Sequence, residues 1–190
     1  MNSDAANGRV ESGPLMQTRV LAVVGTRPEA IKMAPVVRAL ARDADNFAVE
    51  VCATAQHREL LDSVLRLFRI QPEYDLGVMR PGQTPTDVAS EVLARIAPII
   101  RRSTPDWVLV QGDTITVAAA SLAAYLAGVR VGHVEAGLRT HDKWNPFPEE
   151  IARRIAGVIA DLHFAPTLLA QQNLLNEGIE PASIVVTGNT

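Results

Sequence analysis

Val108-Leu-Val-Gln-Gly-Asp-Thr114 and, beyond an alanine-rich segment, Val131-Gly-His-Val-Glu-Ala-Gly-Leu-Arg-Thr140 decide the fold. Each begins as an apolar run too short for a helix. Each ends in a glycine-bearing turn carrying one acid, Asp113 or Glu135. Short runs of this kind suit strands of a parallel sheet covered on both faces. Such sheets bind ligands where their strands end, so two carboxylates delivered to one sheet edge read as acid/base machinery.

The segments on either side repeat the pattern. Thr18–Val24, Phe47–Ala53, Trp107–Val110, Arg130–Val134, Asp161–Phe164 and Ser183–Val186 read as strands, with a further short strand around Tyr74–Leu76. Helical spacing separates them. It runs from Pro28 to Arg42, through Leu60, Leu61, Val64, Leu65 and Phe68, and then through Val88, Val92, Ile96 and Ile99 behind an N-cap at Thr84. Three more helices follow: Thr114–Leu126, one opening at Pro148, and Pro166–Asn176. Pro35 and Pro98 are expected to interrupt or kink their helices. In the helix after Pro148, Ile151, Ile155, Val158 and Ile159 share one face. The expected architecture is α/β, a Rossmann-like open parallel sheet with helices on both faces.

Composition narrows the function. With 190 residues, 47% of them hydrophobic, the chain can build a core. A net charge of −3 without an isolated basic cluster argues against a nucleic-acid partner. No apolar run is long enough for a membrane span. A lone Cys52 excludes an internal disulfide framework and fits a reducing compartment. Residues 1–17 are polar and read as a disordered leader, and residues 18–190 as the Rossmann-like domain.

The charged residues near strand ends carry the chemistry. Gly25-Thr-Arg-Pro-Glu-Ala-Ile-Lys32 puts Arg27 and Lys32 at the first strand-to-helix turn, where an anion is favoured, the alternative being a solvated basic residue and a packing glycine. It is not the G-x-G-x-x-G dinucleotide fingerprint. Asp113 has a plainer reading as the N-cap of the next helix, and Glu149 and Glu150 as dipole-stabilising acids, with Glu149 pairing Arg153 at i, i+4. Glu135 has no obvious capping role. Together with Arg139 these acids gather near one edge. His133 and His163, within strands, read as packed or hydrogen-bonded. His57 lies at a strand end and His141 on a loop, and no histidine has metal-ligand spacing. Trp144 and Phe147 either line a pocket or anchor their loop.

Gly25–Pro35, Thr54-Ala-Gln-His-Arg58, Gln111-Gly-Asp-Thr114, Gly132–Thr140, Pro146-Phe-Pro-Glu-Glu150 and Thr187-Gly-Asn-Thr190 occur in an order that resembles the bacterial non-hydrolysing UDP-N-acetylglucosamine 2-epimerases. The resemblance implies the N-terminal half of a two-domain GT-B-like fold, with the C-terminal UDP-binding domain, its histidine included, lying outside this chain. It implies interconversion of UDP-GlcNAc and UDP-ManNAc through elimination and re-addition of UDP, with no metal or other cofactor. By resemblance Asp113, Glu135 and Glu149 are the catalytic carboxylates, with Asp113 and Glu149 the acid/base pair and Glu135 a supporting acid. Arg27, Lys32 and Arg139 would meet the substrate, and Gln56 and His57 a regulatory substrate site. The family is expected to be cytoplasmic, homodimeric and a supplier of surface-polysaccharide precursors. Half of such an enzyme is expected to be inactive alone. Three alternatives remain: a nucleotide-sugar-binding half without turnover, a structural remnant, and half of a GT-B glycosyltransferase. This chain departs from the family's Pro-Glu-Glu-x-Asn-Arg pattern at Ala152, which lacks the asparagine's hydrogen bonds.

Overall fold

The structure, a computed structural model, describes residues 17–54, 58–78 and 80–190. Strands and helices alternate along them. In chain order they are β1 (Thr18–Val24), α1 (Arg27–Arg42), β2 (Phe47–Ala53), α2 (Arg58–Phe68), β3 (Tyr74–Asp75), α3 (Pro85–Ser103) and β4 (Trp107–Gln111). There follow α4 (Ile115–Leu126), β5 (Arg130–Val134), α5 (Glu149–Ile159), β6 (Leu162–Ala165), α6 (Leu168–Asn176) and β7 (Ile184–Val186). The strands form one sheet in the order β3-β2-β1-β4-β5-β6-β7, every pair parallel.

Alternation along each strand divides the core. Leu21, Val23, Cys52, Val108, Val110 and Val131 face α3, α4 and α5, while Val20, Ala22, Val24, Val51 and Ala53 face α1 and α2. Both faces are covered, which is why the strands read as continuous apolar runs. The alanines of α4 let it lie close: Ala119, Ala120, Ala123 and Ala124 are all buried. A third cluster, with Ala165, Ala170 and Leu174, seats α6. There Gly137 is indispensable, because its φ is +88° and a Cβ would meet the Ala170 carbonyl oxygen at 2.2 Å.

The sheet order reverses direction between β1 and β4. From β1 the chain proceeds outward to β2 and β3, and from β4 outward to β7. Turns leaving β1 and β4 therefore diverge and open a crevice at the carboxyl edge, where doubly wound sheets bind ligands.

Several expectations change. Neither Pro35 nor Pro98 divides its helix. Both are exposed, so the carbonyl each leaves unbonded can be hydrated. α4 is capped by Thr114, whose hydroxyl accepts from the Val117 amide, not by Asp113. α6 begins at Leu168 behind a Thr167 cap, two residues later than the position of Pro166 suggested. Of the expected apolar face of α5 only Ile159 packs against the core. Ile151, Ile155 and Val158 are exposed, and α5 instead buries Glu150, Ala152, Arg153, Ala156 and Gly157. Small residues there allow close approach to α4, and both buried charges are paired, Glu150 with Arg153 and Arg154, and Arg153 also with Asp113. Cys52 is buried, and burial pushes its thiol up to about 12, so it is no nucleophile.

Candidate functional site

At the β1/β4 crevice lies a cavity of about 360 Å³ lined by Lys32, Gln111, Asp113, Thr114 and Glu135, among others. A second hollow of about 210 Å³ adjoins it through Thr114 and is lined by Glu149. Larger hollows exist beside α2, about 460 Å³, and in the α3–α4 groove, about 760 Å³. Neither brings several acids together, so chemistry favours the crevice.

Two capped turns build its floor. At β1–α1, Thr26 accepts from the Glu29 amide, and the Glu29 carboxylate accepts from the amides of Gly25 at 2.5 Å and Thr26 at 3.1 Å. This reciprocal capping box leaves Glu29 Oε1 free to accept from the Thr114 hydroxyl at 2.8 Å. The first turn is thereby tied to the β4–α4 turn, and Asp113 is fixed beside it. Glu29 is 3% exposed, and burial raises its carboxyl above the ordinary range despite those hydrogen bonds.

Gln111 ends β4 with its side chain buried. Its amide nitrogen donates to one oxygen of Glu135, and Lys32 of α1 donates to the other. Glu135 is held with φ at +64°, a left-handed conformation that disfavours any side chain. Glu135 is thus a fixed, neutralised carboxylate.

Asp113 is bound differently. Its Oδ2 receives Arg153 Nη2 of α5 at 2.9 Å, and its side chain remains 35% exposed. Burial raises the Asp113 carboxyl above its ordinary value. Arg153 opposes that rise, Glu149 and Glu135 add to it, and Lys32 opposes it. The adjacent backbone is set by His133, whose Nε2 donates to the Gly112 carbonyl over 2.7 Å, the tautomer following from that acceptor. His163 likewise donates to the Gly157 carbonyl at 3.0 Å. Both histidines are packed and hydrogen-bonded.

Glu149 opens α5, half-buried, and its carboxylate makes no hydrogen bond or ion pair among the described residues. The expected Glu149–Arg153 pair does not form. Arg153 reaches Asp113, Glu150 at 3.6 Å and only the backbone carbonyl of Glu149 at 3.4 Å. Glu150, fully buried, accepts from the Thr140 and His141 amides at 3.1 and 3.2 Å. Burial raises its carboxyl, but those amides, the Thr140 hydroxyl and Arg153 lower it more, and the net shift is downward. Ala152 is buried at 1% exposure.

Arg139, expected at the substrate, is spent elsewhere. Its Nε and Nη2 grip both oxygens of Glu177 at 2.7 Å, and it does not line the cavity. Arg27 is exposed at the start of α1 beside the crevice and makes no ion pair among the described residues. Gln56 and His57 lie outside the described residues. Trp144 and Phe147 stack with centroids 5.6 Å apart and line a small apolar hollow over Ile151 and Ile155. Sequence reasoning passed over Glu29 and Gln111 and gave Arg153 to Glu149 instead of Asp113. Thr26-x-x-Glu29 is a capping-box spacing and could have exposed Glu29; the partner of Arg153 has no local signal. Among the described residues no group of three or more His, Cys, Asp or Glu could hold a metal, and no helix is long and apolar enough to cross a membrane.

A family model described as UDP-N-acetylglucosamine 2-epimerase matches residues 38–190. A Yersinia pestis UDP-N-acetylglucosamine 2-epimerase is 56% identical over 172 residues, 90% of this chain and 46% of the relative. An Escherichia coli K12 protein of the same name is 54% identical over 172 residues, again 90% of this chain and 46% of the relative. The crystal structure of UDP-GlcNAc 2-epimerase from Neisseria meningitidis bound to UDP-GlcNAc superposes with a TM-score of 0.88 at 48% identity, over 91% of this chain and 46% of that one. The chain spans about half the length of the relatives it matches.

Proposed function

The chain belongs to the UDP-N-acetylglucosamine 2-epimerase family, and on that footing we propose that its crevice is one wall of a site interconverting UDP-GlcNAc and UDP-ManNAc. One observation carries the reading: Asp113, Glu135 and Glu149, from separate segments, converge around Thr114 at the sheet's switch point.

The C2 hydrogen of the sugar is not adjacent to a carbonyl, so direct deprotonation is too hard. Elimination avoids this. A carboxylate takes the C2 proton, the C1–O bond breaks, UDP leaves with the bonding electrons and C1=C2 forms, giving 2-acetamidoglucal. A proton then returns to C2 from the opposite face as a UDP oxygen re-forms its bond to C1. Two proton-handling groups are needed, plus cations for the departing diphosphate. Asp113, with its raised carboxyl, suits the first role and the unpaired Glu149 the second. Glu135, already neutralised by Lys32 and Gln111, suits support of the site's geometry. Arg27 and the Lys32 ammonium supply positive charge near the diphosphate. Residues that would hold UDP from the other side belong, on this reading, to the remaining length of the relatives.

The same reading makes the whole protein a cytoplasmic homodimer that feeds surface-polysaccharide synthesis. Exposed Tyr125, Leu126, Ile155 and Val158 on the neighbouring helices α4 and α5 support a subunit contact.

The test mixes this chain with the remaining half of the Yersinia pestis relative and incubates UDP-GlcNAc in D2O. UDP-ManNAc and deuterium at C2 are expected. Asp113→Asn and Glu149→Gln should each lower the rate about 10²–10⁴-fold. Absence of UDP-ManNAc would sink the reading, and an undiminished rate in Asp113→Asn would remove Asp113 from it. Binding of UDP-GlcNAc without exchange would favour a non-catalytic sugar-nucleotide-binding half.

A further inference from the structure

Arg153 lies one helical turn beyond Glu149 on the buried face of α5, its side chain 9% exposed. Its guanidinium joins two segments that each carry a candidate acid. Nη2 is 2.9 Å from Asp113 Oδ2 on the β4–α4 turn. Nε is 3.6 Å from Glu150 Oε2 and 3.4 Å from the Glu149 carbonyl oxygen, both on α5. Glu150 cannot drift, because the amides of Thr140 and His141 and the Arg154 guanidinium hold it. The chain of contacts thus runs from a fixed loop, through Glu150 and Arg153, to Asp113.

The charged groups facing Asp113 come from several elements. They are Lys32 from α1, Glu135 from the turn after β5, and Glu149 and Arg153 from α5. Lys32 is already engaged by Glu135, so Arg153 is the direct ion partner of Asp113 among the described residues. A guanidinium is a planar fork that fixes direction as well as charge.

We propose that Arg153 is a positioning residue for Asp113: by holding Oδ2 from α5 it leaves Oδ1 as the reacting oxygen and fixes the separation of Asp113 from Glu149. The role concerns the site proposed above and rests on that reading for its meaning, but its physical content is independent. Arg153 is the largest influence opposing the rise of the Asp113 carboxyl. Without it, burial and the two neighbouring acids act unopposed except by Lys32.

The experiment is a carboxyl-carbon NMR titration of Asp113 in the 190-residue chain. In Arg153→Met the midpoint should rise by about one pH unit. In Arg153→Lys, which keeps the charge and loses the fork, it should rise less. An unmoved midpoint in folded Arg153→Met overturns the proposal. A second readout needs no variant: in the unaltered chain the Arg153 guanidinium resonances should shift with the Asp113 midpoint, and a guanidinium indifferent to that titration overturns the proposal equally. Neither readout requires turnover. Failure here leaves the epimerase reading intact, and failure of C2 exchange leaves this one intact.

Discussion

Position 113 shows how one residue acquires a role from its neighbours. In the sequence, Asp113 before Thr114 and an apolar run is an ordinary cap. In the fold Thr114 takes the cap, and Asp113 turns to Arg153 and the crevice. His133 offers a separate test at this scale. Burial lowers its imidazole from 6.5 to about 4, with its Nε2–H on the Gly112 carbonyl. The folded state then binds fewer protons than the unfolded chain between those values, so stability present above pH 6.5 is lost as pH falls toward 4. The contribution is on the order of 3 kcal/mol. Urea melts of His133→Gln should show a shallower loss of stability across that window than the unaltered chain. Equal slopes would mean that the imidazole does not carry the effect. Glu29, whose carboxyl burial raises, has the opposite sign: its contribution is present in acid and is lost as pH rises through its elevated value. The difference between chain and variant isolates His133.

Helix starts explain most of what was legible at the scale of elements. Thr26, Thr84, Thr114 and Thr167 each accept from a backbone amide of the first turn, and proline follows the first two inside the helix start. Such signals are local in sequence, so they could be read, although at Thr114 and Thr167 the neighbouring Asp113 and Pro166 drew the boundary one or two residues early. Their energies should differ. Thr167→Ala loses one cap and should cost about 1 kcal/mol in chemical denaturation. Thr114→Ala loses its cap and also deprives buried Glu29 of a donor, so it should cost more, about 2 kcal/mol. Equal costs would show that the Thr114–Glu29 contact is not a structural tie. Helix α5 marks where periodicity misleads. Its isoleucines and Val158 do share a face, but hydrophobic spacing identifies a face without saying what it meets. Glu150 and Arg153 can occupy the packed side because each meets opposite charge there, Glu150 from Arg153 and Arg154, and Arg153 from Asp113 and Glu150.

For the molecule as a whole, the exposed apolar residues of α4 and α5 imply a mutational outcome. If they form the proposed subunit contact, Val158→Glu, at a position 81% exposed, should leave this chain folded and shift its sedimentation from dimer to monomer. A monomeric unaltered chain at high concentration would remove that contact. What the amino-acid sequence determined alone was the alternation of strands and helices, the parallel sheet, and the strand ends at which Asp113 and Glu135 lie. These follow from short-range properties: apolar run length, helical period, glycine at tight turns and threonine at caps. Tertiary structure alone decided which charges meet. Glu29 reached Thr114, Lys32 and Gln111 closed on Glu135, Arg139 went to Glu177, and Arg153 went to Asp113 rather than to Glu149. Those pairings link residues far apart in the chain. They depend on the reversal of strand order between β1 and β4 and on how α5 docks against α4, and neither leaves a periodic trace in the sequence.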